Sequence, residues 1–510
     1  MPCNCESNSI TIEARITKRH RQVTLYIASW TIYNLFLHPL RNYPGPLLLR
    51  ATRLGFGYKL IGGTLPFDVL ELHKKYGDVV RVAPNELSFN NVDAWKDIMG
   101  HRSHDVPEFK KDQMFYRPTA TIPSSIVSSN GRDHAVLRRQ LSHGFSERGL
   151  REQQPLVMKY IDLFIRRLHE NCTDQKLVDL LAWYNFTTFD IIGDLAFGEP
   201  FGCLEKSDYH PWIRSIFTSA RLGTIVQTAS HYPFLKKVLF NLLATKSAKQ
   251  TRGRNFNMAK EKLQRRIELG GKEGRPDLIE GLLKKRDELN LSFAQIAANS
   301  NTLVIGGSET TATLLSGATY YLLTHKEILS KLTDEVRSAF KSEEEINIIS
   351  VGKLSYMLAC LDETLRMYPP VAMGLPRVTP REGAVVCGRY VPGNAYKPLW
   401  QTTVAIHQWA IHHNEAYFKH PFGFHPERFL GDPEFASDNR DAFQPFHVGA
   451  RNCLGRNLAY VEMRLILARL VWNFDLELAE ESRGWVERQK VFILWDKGPL
   501  KVRLTPVVRD

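Results

Sequence analysis

Apolar residues recur at three- and four-residue spacing along most of the chain, which is the spacing of one face of an α-helix. The longest such stretch covers residues 293–324, where Ser292 and Gln295 form a predicted capping box. Other stretches with this period lie at residues 68–77, 133–146, 150–170, 178–196, 255–269, 326–340, 354–367 and 454–472. Short runs that suit β-strands lie at Val79–Val82, Glu86–Phe89, Ala384–Val386 and near the C-terminus. Because helices and strands do not alternate as a parallel α/β sheet requires, the pattern predicts a mainly α protein with a small β part.

The N-terminal region differs from the rest of the chain. Residues 1–22 are polar and end in a basic cluster, and residues 23–38 are mostly apolar, with Trp and Tyr side chains that suit a membrane interface. The apolar stretch Val23–Leu37 has 15 residues, whereas a helix needs about 20 to span a bilayer. We predict a shallow or marginal membrane anchor at residues 23–38. The alternative is an ordinary N-terminal helix packed on the globular part.

A stiff, turn-prone segment, Tyr43–Pro46, follows the candidate anchor. Beyond it, no linker, low-complexity tract or repeat interrupts the sequence. Of the 510 residues, 43% are hydrophobic, which is enough for a large buried core. The sequence therefore predicts one domain over residues 39–510.

The net charge of +13 favours acidic partners or anionic membrane surfaces. The densest basic stretch, residues 246–275, is interleaved with glutamates, so we predict a helix face turned to water and no nucleic-acid partner. The seven cysteines are odd in number and have no framework spacing. That usage indicates a reducing compartment.

The segment Phe446–Gly455 carries the most specific chemistry. Cys453 precedes an amphipathic helix, so its thiol should lie at the helix N-terminus, where free N–H groups and the helix dipole lower a thiol pKa. A thiolate is a soft iron ligand. Gly449 and Gly455 remove side chains where the backbone must lie against a flat group. Arg451 offers a fork of donors for a carboxylate, and Phe446 would shield the sulfur from water. Taken alone, a cysteine at this position is more often an ordinary buried cysteine, and the Phe, Gly, Arg and Gly around Cys453 reverse that preference.

The spacing of these residues matches the F-x-x-G-x-R-x-C-x-G signature of the cytochrome P450 superfamily, and the resemblance runs from about Tyr33 to the C-terminus. It implies the cytochrome P450 fold, in which haem b (iron protoporphyrin IX) lies between a long central helix and the Cys-bearing loop. It also implies that Cys453 is the axial iron ligand. Phe446, Gly449, Arg451 and Gly455 would surround the haem. Haem bound in this way supports mono-oxygenation.

A second motif lies within the longest helical stretch, at residues 306–311. Two adjacent glycines in a helix cost about 1 kcal/mol each against alanine, so Gly306 and Gly307 need a packing or functional reason. A groove over a haem face would supply one. Glu309 and Thr310 resemble the family's acid–threonine pair, which would relay protons as the catalytic residues. The alternative is a helix-packing site with a solvated carboxylate.

Six further residues are assigned by resemblance. Glu363 and Arg366 are three residues apart on a helix, and an ion pair at this spacing on a surface usually contributes under ~1 kcal/mol to stability. Arg428, however, resembles the third member of a buried structural network of the family, to which Glu363 and Arg366 would also belong. His134 and Arg138, one turn apart, match the helix that ties down haem propionates. Arg377 matches another propionate-binding arginine.

The resemblance also implies partners and a location. No G-x-G-x-x-G fingerprint is present, so electrons should come from a separate NADPH–cytochrome P450 reductase, with cytochrome b5 as a second candidate donor. The substrate would be a lipophilic small molecule in an apolar pocket. The candidate anchor would bind membrane lipid at the endoplasmic reticulum, with the catalytic domain in the cytosol.

Stretches such as residues 184–190 and 197–202 resemble the fungal branch that is similar to isotrichodermin C-15 hydroxylases, whose members oxidise secondary metabolites. Residues 395–402 look like an insertion into a tight β-turn. Two alternatives to a monooxygenase stay open on the sequence. One is a haem-thiolate isomerase, dehydratase or peroxygenase that needs no reductase, and the other is a haem-binding sensor or inactive relative.

Overall fold

The computed structural model describes residues 5–103, 106–117, 123–232, 246–269, 277–393 and 401–509. The α-helices of these segments, in chain order, are α1 Cys5–Ile32, α2 Leu47–Ala51, α3 Leu54–Gly62, α4 Leu65–Tyr76, α5 Gln113–Tyr116, α6 Gly131–Ser142, α7 Glu147–Asn171, α8 Leu180–Phe197, α9 Cys203–Lys206, α10 Pro211–Ser230, α11 Lys246–Leu269, α12 Glu280–Lys284, α13 Phe293–Thr324, α14 Lys326–Ala339, α15 Ser355–Met367, α16 Gln408–His412 and α17 Arg456–Asn473. The strands are β1 Val79–Ala83, β2 Glu86–Phe89, β3 Lys110–Lys111, β4 Leu177–Asp179, β5 Arg377–Val378, β6 Ala384–Val386, β7 Arg389–Val391, β8 Thr403–Ile406, β9 Phe474–Leu478, β10 Lys490–Phe492, β11 Leu494–Asp496 and β12 Lys501–Pro506.

Helix α13 is the central element of the core, and most of its residues are buried. The predicted capping box is confirmed: the hydroxyl of Ser292 accepts from the Gln295 N–H at 3.2 Å, and the Gln295 side chain accepts from the Ser292 N–H at 2.9 Å. Helix α8 packs closely along α13, because Gly307 has no side chain to hold the two helices apart. A Cβ at Gly307 would lie 2.7 Å from the Ile192 side chain.

The larger sheet has five strands in the order β1-β2-β8-β5-β3. Strands β1 and β2 form an antiparallel hairpin with Val79 opposite Phe89, whereas β2 and β8 run parallel with Leu87 opposite Val404. Strand β5 pairs antiparallel with β8 and sets Arg377 opposite Val404. Three smaller sheets, β4-β12-β9, β6-β7 and β10-β11, complete the β part. The prediction of a mainly α protein with a small β part is therefore confirmed.

Most predicted helices are found within a few residues of their expected bounds. One local prediction is wrong at its start: the stretch 178–196 begins as strand β4, and helix α8 starts at Leu180. The structure also contains α10, which the apolar periodicity did not indicate. At the other end of the chain, α1 runs across the expected boundary between residues 22 and 23 without a break. Among the described residues, no helix combines the length and apolar character that crossing a bilayer requires.

The sequence predicted that the basic stretch is a helix face turned to water, but part of that face is buried. On α11, the Lys262 ammonium donates to Glu199 at 2.7 Å and the Arg266 guanidinium to Asp277 at 2.7 Å, and both basic side chains are buried. The prediction is wrong for these two residues because they tie α11 to the core through ion pairs. Most of the predicted insertion at residues 395–402 lies outside the described residues, which resume at residue 401.

Candidate active site

A cavity of about 250 Å³ lies between α13 and the segment that contains Cys453. Gly306, Gly307 and Thr310 of α13 form part of one wall, and Cys453 lies in the opposite wall. Two residues of α6, His134 and Arg138, line one end. The cavity therefore brings together the two motifs that the sequence singled out, although they are more than a hundred residues apart.

The loop before α17 is closed by its own backbone. The Cys453 N–H donates to the Phe446 carbonyl at 2.8 Å, and the Asn452 N–H donates to the Gly449 carbonyl at 3.2 Å. Gly449 has φ +77°, and a Cβ there would lie 1.9 Å from the Met99 carbonyl oxygen. Only glycine fits at this position, because the backbone conformation is left-handed and the residues around Met99 press against it.

Gly455 has a different setting. A Cβ there would meet the Phe145 ring at 3.6 Å, an ordinary van der Waals contact, and φ is −85°. The protein atoms alone therefore do not require glycine at 455. Its backbone N–H instead lies close enough to Cys453 to lower the thiol pKa.

The Cys453 thiol is exposed toward the cavity that it lines. Burial within the protein raises its pKa above the ordinary value, while the Gly455 N–H and the charges of Arg138 and Arg456 oppose that rise. The expectation that the helix terminus leaves the pKa lowered is wrong for the protein by itself, because α17 begins only at Arg456 and desolvation outweighs these contacts.

Cationic groups gather at one end of the cavity. Lys111, Arg138 and Arg451 line it together with His134, and the Arg377 guanidinium is close enough to lower the pKa of both Lys111 and His134. Burial and these like charges lower the pKa of Lys111 to about 7 and that of His134 to about 3. His134 is therefore a neutral donor or acceptor near pH 7, and the cluster has an excess of positive charge.

Protein partners satisfy this cluster only in part. Arg451 donates to Glu108 at 2.5 Å, and Arg138 donates to the Asn452 carbonyl at 2.8 Å and to the Asn452 side chain. Among the described residues, Arg451 Nε and Arg377 Nη1 are buried and lack a hydrogen-bond partner. Buried donors left in this state cost about 1–3 kcal/mol each, so the cluster suits an anionic ligand group.

These features fit a haem. The cavity is flanked by a thiol on one wall and by a glycine-lined helix on the other. Its charged end offers guanidinium forks for two carboxylates, and a Cβ at Gly306 would meet nothing within 4 Å. Cys453 would hold the iron, and Arg138, Arg377 and Arg451 would hold the propionates.

Helix α13 directs its motif residues to different surroundings. The Thr310 hydroxyl donates to the Gly306 carbonyl at 2.7 Å and lines the cavity. Glu309 is outside the cavity lining, 1% exposed, and forms an ion pair with Lys497. The Lys497 ammonium also contacts the Thr313 hydroxyl at 2.5 Å. Burial raises the pKa of Glu309, and Lys497 opposes the rise.

The structure brings Glu363, Arg366 and Arg428 together in a fully buried network. Arg366 donates to Glu363 from Nε and Nη2, both at 2.8 Å, and Arg428 Nε donates to the same carboxylate at 3.1 Å. Arg366 also donates to the His412 carbonyl at 3.0 Å and the Pro421 carbonyl at 2.7 Å. The three residues thus tie α15 to the irregular segment that leads to the Cys453 loop.

Sequence reasoning missed three residues of this region. Lys497 belongs to the C-terminal segment after β11, and Lys111 to the two-residue strand β3, so neither stands in a recognisable motif. Glu462, on α17, lines the cavity although it follows a pattern typical of an exposed polar helix face. No pattern in the sequence around Glu462 indicates that it lines the cavity.

Comparison with known proteins agrees with this geometry. Residues 44–504 match the family model described as Cytochrome P450. The chain is 48% identical over 484 residues to the cytochrome P450 monooxygenase prhB of Penicillium brasilianum, covering 95% of this chain and 97% of that relative. It is 43% identical over 485 residues to the trichothecene C-15 hydroxylase of Fusarium sporotrichioides, covering 94% and 96%. A third relative is the cytochrome P450 monooxygenase astA of Talaromyces wortmannii, at 45% identity, with 95% of each chain covered.

Proposed function

The chain belongs to the cytochrome P450 family, and on that premise we propose that Cys453 would hold the iron of its haem and that the enzyme oxidises a lipophilic secondary metabolite. Its family makes it a haem-b-binding monooxygenase. The observation that carries the proposal is the cavity in which Cys453 faces Gly306 and Thr310 of α13. Haem ligated by a thiolate supplies dioxygen activation.

The side chains of α13 shape the cavity wall and transfer protons. Glycine at 306 leaves a groove in α13 beside the Thr310 hydroxyl. The Thr310 hydroxyl donates a hydrogen bond to the Gly306 carbonyl. To pass a proton into the cavity, this hydroxyl must rotate away from the carbonyl. We assign Glu309 to the re-protonation of Thr310, with Lys497 holding the carboxylate in place.

The structural network keeps the thiolate side rigid. Glu363, Arg366 and Arg428 are at most 1% exposed, and their backbone acceptors lie in the segment that leads to Cys453. In this proposal, the network is a positioning device that does not touch the reacting atoms. Residues 39–510 would form one domain around it.

The substrate class rests on the relatives and on the cavity walls. One relative is by name a trichothecene C-15 hydroxylase. Apolar side chains, among them Leu303, Ile126 and Ile192, line the cavity of this chain. A substrate with a large apolar surface would gain affinity from such walls, with a few polar contacts fixing its orientation.

The test is to delete the gene, identify the metabolite that accumulates, and feed it to the purified holoenzyme with NADPH and NADPH–cytochrome P450 reductase. The expected product contains one oxygen atom from isotopically labelled dioxygen, and its formation stops without NADPH. Product formation without NADPH, or with oxygen from water, would contradict the proposal.

Electron transfer should occur at the face next to Cys453. Arg456 is exposed at the start of α17, and Arg132 and Arg139 are exposed on α6, whose Arg138 contacts the Cys453 loop. Charge reversal of these three residues should slow reduction by the reductase and weaken its salt dependence. Reversal of Lys284, an exposed residue of α12, is the matched control. Equal effects of both changes would exclude this docking face. Cytochrome b5 would compete for the same face.

The membrane proposal rests on exposed apolar side chains. They belong to the second half of α1, the turn after it, α2 and α3, and include Tyr26 (69% exposed), Leu47 (69%) and Tyr58 (82%). We assign this surface to lipid at the endoplasmic reticulum, with the catalytic part in the cytosol. Changing Leu47, Leu48 and Tyr58 to Ser should reduce flotation with phospholipid vesicles, and a chain lacking residues 1–38 should still bind haem. Unchanged flotation in the triple variant would restrict lipid contact to the N-terminal helix.

A further inference from the structure

A second cavity lies among the start of α8, helix α10 and the segment that contains β10 and β11. This α8–α10 cavity has a volume of about 310 Å³, against about 250 Å³ for the cavity that contains Cys453. Among the described residues, none lines both cavities. The proposed monooxygenase function does not use the α8–α10 cavity, so its polar groups need a separate explanation.

A buried amide in the wall of the α8–α10 cavity has an unpaired oxygen. Asn185 is 1% exposed and lines the cavity. Its Nδ2 donates to the Leu181 carbonyl at 2.9 Å and to the Tyr209 hydroxyl at 3.3 Å. These two bonds fix the orientation of the amide, and they leave Oδ1 buried without a hydrogen-bond partner among the described residues. A buried acceptor in this state is unfavourable, and an N–H or O–H group of a ligand would satisfy it.

The same cavity has an unpaired cation. Arg221 of α10 is exposed where it lines the cavity, and its guanidinium group lies over the Phe492 ring at 5.4 Å. In the part of the chain that the structure describes, this group forms no ion pair. Arg214, a second cation of the lining, already has Asp208 as its partner at 2.5 Å. The described lining contains three cations and one acidic residue, Asp496. Arg221 therefore suits the carboxylate of a ligand, which a guanidinium fork binds with two donors.

Apolar side chains form much of the remaining wall, among them Leu181, Ala220, Leu494 and Trp495. The Trp495 indole N–H already donates to the Pro369 carbonyl at 2.8 Å, so the ring offers the cavity an apolar surface. Walls of this kind favour a ligand with an aromatic or alicyclic body, while a few polar contacts fix its orientation.

We propose that the α8–α10 cavity is a second small-molecule site, which binds an amphipathic organic acid with its carboxylate on Arg221 and a hydrogen-bond donor on Asn185 Oδ1. Such a ligand lies beside Lys497, the residue that pairs with Glu309 and also lines this cavity. The inference goes beyond the proposed monooxygenase function and does not depend on it, because neither Arg221 nor Asn185 lines the cavity that contains Cys453.

The first test uses indole-3-acetate as the probe, because it combines an aromatic body, an N–H donor and a carboxylate. The holoenzyme is first saturated with an azole, which fills the haem cavity. Calorimetric titration at pH 7 should then show one bound probe per chain, with a dissociation constant of about 1 mM or lower. Absence of binding to the azole-saturated protein would overturn the proposal.

Two analogues of the probe test its polar contacts without changing the protein. Tryptamine has the same ring and N–H group but a cationic chain, and it should bind at least about tenfold more weakly than indole-3-acetate. The compound 1-methylindole-3-acetate keeps the carboxylate but lacks the donor, and it should also bind more weakly. Equal affinity of tryptamine would overturn the contact with Arg221, and equal affinity of the methylated acid would overturn the contact with Asn185.

The second test changes the protein. Arg221→Gln should weaken binding of indole-3-acetate at least about tenfold, because a charge-assisted contact is lost. Arg148→Gln, at an exposed position of α7 outside the lining, is the matched control and should keep the full affinity. The visible carbon monoxide spectrum of each variant verifies that it is folded and loaded with haem, and it tests Cys453 separately from this site. Equal affinities of Arg221→Gln and the unaltered protein would overturn the proposal.

Discussion

The ammonium group of Lys497 donates a hydrogen bond to the carboxylate of Glu309, although the two residues are 188 positions apart in the chain. Their side chains are 3% and 1% exposed. The C-terminal segment therefore supplies the charge partner of the acid beside Thr310. Lys497 opposes the rise that burial gives to the pKa of Glu309 and holds the carboxyl group outside the cavity lining.

Replacing Lys497 with Met should leave Glu309 buried without a cation. Breaking a buried pair in this way costs about 3–5 kcal/mol. The loss should be smaller at pH 5 than at pH 8, because burial raises the Glu309 pKa and the neutral acid needs no partner. Urea unfolding of the holoenzyme at the two pH values measures this loss in the free energy of unfolding. Lys490→Met, at an exposed position of β10, is the control and should change stability by under about 0.5 kcal/mol. Equal losses for both variants would show that the buried pair has no special role.

The Glu363 carboxylate accepts hydrogen bonds from two buried arginines and from the His425 N–H. Glu363→Gln should lower the free energy of unfolding by about 3–5 kcal/mol, because both guanidinium groups lose this anion. The haem content of the purified protein should fall with it. Glu152→Gln, which breaks an exposed i,i+4 pair with Arg148, should cost under about 0.5 kcal/mol. A Glu363→Gln protein with full haem content and stability would exclude a structural role for the network.

The two adjacent glycines of α13 should respond in opposite ways to alanine. At Gly306, nothing lies within 4 Å of a new Cβ, so Gly306→Ala should stabilise the helix by about 0.5–1 kcal/mol. It should also weaken binding of an azole ligand, because the methyl group enters the cavity. At Gly307, the new Cβ would meet Ile192 at 2.7 Å, and overpacking of this kind costs about 1–3 kcal/mol. Thermal unfolding and spectral titration measure both effects. The same response at both positions would contradict the assignment of Gly306 to the open cavity and of Gly307 to the contact with Ile192.

The raised pKa of Glu462 makes stability depend on pH in a defined direction. Its pKa is about 8 in the folded protein and about 4.3 in an unfolded chain. Between these values the folded state holds a proton that the unfolded state has released, so stability falls as pH rises. Glu462→Gln removes this dependence. The free energy of unfolding of the variant, relative to that of the unaltered protein, should therefore rise between pH 5 and pH 8 and stay level above pH 8. A stability difference that is flat over this range would show that Glu462 is ionised in the folded protein.

Local sequence patterns predicted the long helices and the loop around Cys453, because apolar period, capping residues and glycine positions act within a few residues. They also indicated Glu363 and Arg366, although the contact with Arg428 required the motif resemblance. The partner of Glu309 could not be predicted, since Lys497 reaches it only through the packing of the C-terminal segment on α13. Glu462 was missed for a related reason. A glutamate on an amphipathic helix normally faces water, and only the folded structure turns it toward the cavity.

The Cys453 pKa illustrates the same limit. The sequence placed the thiol before a helix and predicted a lowered pKa, but the effect of desolvation depends on the atoms that the fold packs around it. Likewise, Lys262 and Arg266 belonged to a stretch that looked solvated until the fold brought Glu199 and Asp277 to them. Charge–charge contacts between distant segments are thus the part of the site that sequence reasoning does not reach.

The absorption spectrum of the reduced, carbon-monoxide-treated holoenzyme tests the central claim most directly, since it reports the atom that binds the haem iron. The unaltered protein should have the strongly red-shifted Soret band of thiolate ligation, and Cys453→His should lose that band while the Cys360→Ser control, at a buried cysteine outside the cavity lining, keeps it. An unaltered protein without the red-shifted band, or a Cys453→His variant that retains it, would contradict the assignment of Cys453.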